Sequence, residues 1–201
     1  MCLIIFTRYP EAGKVKTRLI PTLGEKGAEL LHREMVEHTI GRITPFKVKV
    51  EVHFAGGSHV LMKSWLGNQL RYQEQQGTCL GERMYNAAAG AFAENNKKVV
   101  LIGTDCPDIT TNHVEQAFNL LDSSDLVLGP AYDGGYYLVG FKKLVNELFH
   151  GITWGSNHVY RQTIKAAEQA NMKTAALEKL TDVDCPADLP FFAAAKSNFS
   201  V

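Results

Sequence analysis

With 201 residues, 45% of them hydrophobic, the chain can bury one ordinary core but not comfortably two, so a single domain over residues 1–201 is expected. Its 21 Lys plus Arg balance 21 Asp plus Glu, which leaves no global field to draw it to nucleic acid or an anionic membrane; any anion site must come from local clustering. The four cysteines, Cys2, Cys79, Cys106 and Cys185, form no CxxC pair, which argues against zinc and a disulfide framework and for a reducing cytoplasm. No apolar run approaches the roughly 20 residues of a membrane span, and the stretch before Arg8 is too short for a signal-peptide core.

Strand-length apolar runs alternate with helical periodicity along the chain. Residues 3–7 read as a buried strand, and Leu31, Met35, Thr39 and Ile43 recur at helical spacing across 25–43, with Pro45 barring extension. Val48, Val50, Val52 and Phe54 alternate with Lys49, Glu51 and His53, the pattern of a strand with one face better covered, which Gly56-Gly57 ends. A short helix over 58–66 and a strand over 71–74 follow; Leu80, Met84, Ala88 and Phe92 then mark a helix that stops near Asn95-Asn96. Next come a strand over 99–102, a helix from near Asn112 with Val114, Phe118 and Leu121 on one face, and strands over 126–129 and 136–141. A helix over 158–170, a short strand over 174–177 and a helix from Pro186 complete the order. Such alternation predicts a three-layer α/β/α domain around a mostly parallel sheet, with one antiparallel excursion near Tyr136.

The central strand ends in Gly103-Thr104-Asp105-Cys106-Pro107, which delivers a carboxylate to the sheet edge where open α/β folds bind ligands. Thr110 and Thr111 lie nearer the next helix and are the better caps, which frees Asp105 to hold a metal ion, with Thr104 beside a phosphate. After the first strand, Arg8, Lys14, Lys16 and Arg18 crowd a loop containing Gly13, a cation density suited to a diphosphate. It is not a kinase-type phosphate loop, since GxxxxGK[ST] needs glycine at Arg8 and Ser or Thr at Val15. The Asp133-Gly134 pair between apolar runs signals a turn, and its glycines would let Asp133 approach a ligand. In Asp182-Val183-Asp184-Cys185-Pro186, Pro186 suits a first helical turn, and either Asp182 or Asp184 is placed to complete a ligand set begun by Asp105. Arg83, in the first turn of its helix, can reach a phosphate or form a surface ion pair. Trp154 opens a turn, as an acceptor contact or as packing, and the seven histidines show no metal spacing.

Five ordered blocks, Phe6-x-Arg8-x-Pro10-x-x-Gly13-x-x-Lys16-Thr17-Arg18-Leu19, Leu80-Gly81-Glu82-Arg83-Met84, Gly103-Thr104-Asp105-Cys106-Pro107, Gly129-Pro130-x-x-Asp133-Gly134-Gly135-Tyr136-Tyr137 and Asp182-x-Asp184-x-Pro186-x-Asp188-Leu189, cover nearly the whole chain. In that order they resemble small bacterial proteins related to GT-A glycosyltransferases and nucleotidyltransferases, the group labelled glycosyltransferases of the arsenosugar-biosynthesis type. The resemblance implies a nucleotide-diphospho-sugar transferase-like fold, phosphates on Lys14, Lys16 and Arg18, and Mg2+ or Mn2+ on Asp105 and Asp184. It departs at Cys79 and Asn157, where the group prefers acids, which bears on the acceptor side. The expected function is metal-dependent glycosyl transfer from a nucleotide-sugar donor to a small acceptor, with Asp133 as base. Nucleotidyl transfer to a phosphorylated small molecule is the alternative, and non-catalytic nucleotide-sugar binding a third.

Overall fold

A computed structural model describes residues 1–43 and 48–197; Pro45, expected to end the first long helix, lies outside them. Seven strands form one sheet: β1 (Cys2–Arg8), β2 (Lys49–Ala55), β3 (Arg71–Glu74), β4 (Val99–Ile102), β5 (Leu126–Pro130), β6 (Tyr136–Phe141) and β7 (Thr174–Ala176). Their spatial order is β3-β2-β1-β4-β6-β5-β7. Every neighbouring pair is parallel except those made by β6, which runs antiparallel to both β4 and β5. That reversal is the excursion expected near Tyr136, and it follows from the tight Asp133-Gly134 turn between β5 and β6.

The helices are α1 (Ile20–Ile43), α2 (His59–Leu66), α3 (Leu80–Ala93), α4 (Thr111–Leu120), α5 (Val159–Gln169) and α6 (Leu189–Ser197). Helical backbone begins earlier than the periodicity of α1 suggests, but Gly24 breaks it at φ 71° and ψ 167°, so the continuous run does start at Glu25. Short 3₁₀ turns at Thr17–Leu19 and Asn146–Phe149 had no sequence signal, because three or four residues are too few to show a period. Thr110 starts α4 through a capping box with His113, so Asp105 caps nothing there.

Strand alternation divides the core into two layers. Leu3, Ile5, Val52, Phe54, Val100 and Ile102 face the helices α1, α2 and α4. Cys2, Ile4, Val99, Leu101, Val139 and Phe141 face α3 and α5. These side chains are nearly all fully buried, and each contributes about 1.5–3 kcal/mol relative to exposure. A smaller cluster of Met35, Val183 and Phe192 fastens α6 to α1. No helix among the described residues is long and apolar enough to cross a membrane.

One departure concerns β2, whose polar face is covered as well as its apolar one. Glu51 and His53 are 4% and 7% exposed. The Glu51 carboxylate lies 3.1 Å from His53 Nε2, 2.8 Å from Lys49 Nζ and 3.2 Å from Arg71 Nη1. Arg71 continues to Glu94 at the end of α3 at 2.6 Å, so the network ties that helix to the sheet edge. The hydrogen bond from His53, strengthened by Lys49, outweighs burial and holds the Glu51 carboxyl at about 2 against an ordinary 4.5. A depressed carboxyl stabilises the fold fully above its unfolded value and ceases to as pH falls through the folded one. Glu51→Gln is therefore expected to lose about 1–3 kcal/mol at pH 7, with the gap to the parent closing between about pH 4.5 and 2. Urea unfolding across that range checks it, and a gap independent of pH would contradict the linkage.

Candidate active site

The carboxyl ends of β1 and β4 meet at the sheet edge, where two adjoining cavities open. The larger, about 390 Å³, is walled by Arg8, Arg18, Thr104, Asp105, Asp133, Asp182 and Asp184 together with a set of apolar side chains. The smaller, about 270 Å³, lies under the basic loop and is walled by Arg8, Lys14, Lys16, Arg18, His32, Asp105 and Asp184. Residues remote in sequence thus share one cleft.

Lys16 joins them. Its ammonium lies 2.6 Å from Asp105 Oδ1, 3.0 Å from Asp184 Oδ1 and 2.6 Å from the Val183 carbonyl oxygen. Two of these contacts are hydrogen bonds, to Asp184 and the Val183 carbonyl, and the third is an ion pair with Asp105. The Lys16 side chain is only 5% exposed, whereas those of Asp105 and Asp184 are 49% and 38% exposed. Burial would lower the Lys16 pKa, but the two carboxylates overcome it and raise it; reciprocally, burial would raise Asp105, and the Lys16 charge holds it below its ordinary value. The Lys16 backbone is left-handed, at φ 45° and ψ 43°, which costs an L-residue about 1–2 kcal/mol. Those three contacts offset it.

The acids reach this point by backbone pairing. The Asp105 carbonyl accepts from Val183 N–H at 2.8 Å, and Leu180 N–H donates to Pro130 O at 3.1 Å, so the segment before α6 runs along the β4 and β5 ends. Asp188 takes over the capping of the next turn, accepting from the N–H groups of Asp184 and Cys185 at 3.0 and 2.8 Å. The Asp184 side chain is thereby left to Lys16 and to Arg18, 3.4 Å away. Asp182 also faces the larger cavity. Burial first, then the fields of Asp105, Asp133 and Asp184, push its carboxyl up to about 7.

The other expected residues divide. Thr104 is 3% exposed and lines the cleft. Gly13 sits at φ 78°, where left-handed backbone rather than lack of space calls for glycine. Lys14 is 66% exposed and paired with Glu11 at 2.7 Å, on the rim of the smaller cavity. Asp133 fulfils the turn expectation, with Oδ1 accepting from Gly135 N–H at 2.8 Å, yet it also faces the larger cavity. Arg83 is not among the larger cavity's lining residues; its Nε donates to Gly77 O at 3.0 Å, and it borders a neighbouring pocket shared with Arg8, Gly56 and Gln75. Of the two neighbouring tyrosines, Tyr136 faces the cavity beside Trp154, with ring centroids 6.5 Å apart. Tyr137 also borders the cavity, while its hydroxyl donates to Glu178 O at 3.1 Å.

His32 went unrecognised. It is 6% exposed, lines both cavities, and its Nε2 lies 2.9 Å from the Arg8 carbonyl. Burial lowers its pKa against the pull of that hydrogen bond. The available signal was its position on the inward face of α1 with Ala28, Met35 and Val36.

Among the described residues, no group of three or more His, Cys, Asp or Glu side chains has a metal-holding arrangement. Asp105 and Asp184 each give only one oxygen to Lys16, and a hard cation such as Mg2+ commonly takes one or two carboxylates and completes its shell with phosphate oxygens and water. The donor chemistry present therefore fits such an ion alongside a bound phosphate ligand.

Several known proteins are similar to this chain in sequence or fold. The family described as "Uncharacterized protein conserved in bacteria (DUF2064)" matches residues 42–156. A crystal structure from Desulfovibrio desulfuricans G20, described as a candidate nucleotide-diphospho-sugar transferase, is 37% identical and superposes with a TM-score of 0.93 over 99% of this chain and 88% of that one. The 2-phospho-L-lactate guanylyltransferase of Methanocaldococcus vulcanius is 28% identical over 110 residues, 52% of this chain; the match spans about half the relative, 48% of its length. The 4-diphosphocytidyl-2C-methyl-D-erythritol synthase of Anaerococcus prevotii, 12% identical with a TM-score of 0.63 over 98% of this chain and 96% of that one, shares the fold. The fold is that of nucleotide-diphospho-sugar transferases.

Replacing Lys16 leaves Asp105 and Asp184 facing each other with only the longer Arg18 contact to compensate them. Lys16→Met is expected to cost about 1–3 kcal/mol at pH 7, below the usual cost of breaking a buried pair because both carboxylates keep contact with water. Adding Asp184→Asn should restore part of the loss. Urea midpoints of the two variants and the parent check this, and an unchanged midpoint for Lys16→Met would show that the three contacts do not stabilise the fold.

Proposed function

The chain belongs to the bacterial DUF2064 family, and from that premise we propose that it is an enzyme transferring a sugar from a nucleotide-diphosphate donor to the hydroxyl of a small acceptor. The observation that carries this reading is the meeting of Lys16 with Asp105 and Asp184 beside Arg8 and Arg18 in one cleft. Cations for a diphosphate and carboxylates for a hard metal ion stand next to each other, as chemistry at a diphosphate requires.

In this reading Arg8, Lys16 and Arg18 neutralise the diphosphate, with Lys14 adding charge at the rim. Thr104 and the backbone of the loop around Gly13 position it. Asp105 and Asp184 hold Mg2+ or Mn2+, which, when bound, supplies further charge neutralisation of the phosphate oxygens. The acceptor oxygen forms a bond to the sugar's anomeric carbon while the bond from that carbon to the phosphate oxygen breaks. The electron pair leaves with the nucleoside diphosphate, and the acceptor proton passes to the Asp133 carboxylate, whose Oδ1 is steadied by Gly135 N–H. Positioning and charge stabilisation provide most of the rate.

A second reading, nucleotidyl transfer, is favoured by the likeness to a guanylyltransferase. There a phosphate oxygen of the acceptor attacks the nucleotide's α-phosphorus and pyrophosphate leaves.

Calorimetry with UDP- and GDP-sugars in the presence of Mn2+ is expected to show binding that weakens at least about 10-fold, roughly 1.4 kcal/mol, in Asp105→Asn and Arg18→Ala. Release of nucleoside diphosphate on turnover supports glycosyl transfer, and release of pyrophosphate supports the second reading. Failure of every nucleotide to bind, with or without metal, rejects both.

A further inference from the structure

The larger cavity has two unlike sides. Its cations, Arg8 and Arg18, come from the end of β1 and the basic loop, and the His32 imidazole comes from α1. The opposite side, built from the start of α3, β6 and the turn into α5, presents Leu80, Met84, Tyr136, Val139, Trp154 and Val159. Leu80 is left 44% exposed there. Among the residues lining this cavity, no lysine or arginine belongs to that side, while the carboxyl groups of Asp133 and Asp182 border the same space.

Trp154 is seated rather than loose. A Cβ at Gly81 would lie 2.7 Å from its Nε1 and 2.8 Å from its Cζ2, so the indole rests directly on the first turn of α3, where a side chain would displace it. Gly134, at φ 91°, packs so closely on Asn157 that a Cβ would meet its carbonyl oxygen at 2.2 Å. Tyr160 N–H donates to Gly134 O at 2.9 Å. The β5–β6 turn bearing Asp133 and the turn bearing Trp154 are therefore held together as one wall.

A diphosphate donor uses the cationic side, so the acceptor is left the other. We infer that this acceptor is an uncharged hydroxyl compound with a flat apolar or aromatic face, carrying no phosphate or carboxylate. The inference rests on the donor reading above and specifies its second substrate. An anionic group on this side would lie among carboxyl groups, with no lysine or arginine among the residues lining that side to receive it. An apolar face instead covers Trp154 and Tyr136 and removes their surface from water. This chemistry separates the chain from enzymes whose acceptor is itself a phosphate ester.

The chain has two tryptophans, and Trp65 stands apart from the cleft, with its indole N–H donating to Glu37 at 2.7 Å. In a Trp65→Phe background, indole emission therefore reports occupancy beside Trp154. Phenyl β-D-glucopyranoside and its 6-phosphate serve as matched probes, titrated with and without UDP or GDP and Mn2+. The neutral probe is expected to shift the emission and to bind at least 10-fold more tightly than its phosphate. Val159→Lys, which adds a cation to the apolar side, should narrow that ratio at least 3-fold, with circular dichroism confirming the fold. Equal or tighter binding of the phosphorylated probe overturns the inference, as does silence of the neutral probe in protein that binds nucleotide. Preference for the neutral probe in protein that binds no nucleotide would instead sink the donor reading and leave the character of the pocket standing.

Discussion

A single ammonium group organises this molecule's working edge. Lys16 Nζ meets one carboxylate oxygen from Asp105, one from Asp184 and the carbonyl of Val183, so it pins three chain segments to one point. Asp105 comes from the end of a central strand, Lys16 from the loop after the first strand, and Asp184 from the segment leading into the last helix. Without that cation, two carboxylates would converge with no charge between them; without the carboxylates, a buried ammonium and a left-handed lysine would lack compensation. Each part makes the others tolerable.

The contact also sets the electrostatic character of the cleft. Lys16 uses only one oxygen of each acid, and the second oxygen of Asp184 faces Arg18 at 3.4 Å. Its neighbours Arg8 and Arg18 add positive charge to the same side. Across the cavity the sheet's other face supplies aromatic and aliphatic groups, with Asp133 held by its own turn. One cleft thus offers a charged bed and an apolar bed, an asymmetry suited to two substrates of different polarity.

Polar groups elsewhere follow the same logic at lower stakes. Glu51 is buried on β2 because Lys49, His53 and Arg71 surround it, and through Glu94 the network reaches the end of α3. That helix carries Leu80, Gly81 and Met84 at its opposite end, against the cleft.

Local patterning was enough to determine the elements and their order. Unbroken apolar runs in β1 and β4 announced two-faced burial, periodicity announced α1, α3 and α4, and the Asp133-Gly134 pair announced the one reversal in the sheet, since these signals depend only on near neighbours in the chain. The chemical types at the edge, a cationic loop and an acid after the central strand, were equally legible. Partner choice was not. Lys16 meets Val183 and Asp184 across 167 and 168 positions. Asp188 accepts from the Asp184 and Cys185 N–H groups, His32 turned inward on α1, and Arg83 turned toward Gly77 and a neighbouring pocket. These outcomes depend on which segments the packed sheet brings together, and hydrogen-bond and charge compensation between such segments exists only after the backbone has folded. Sequence thus determined what groups were available at the edge, and tertiary structure alone decided which of them would face one another.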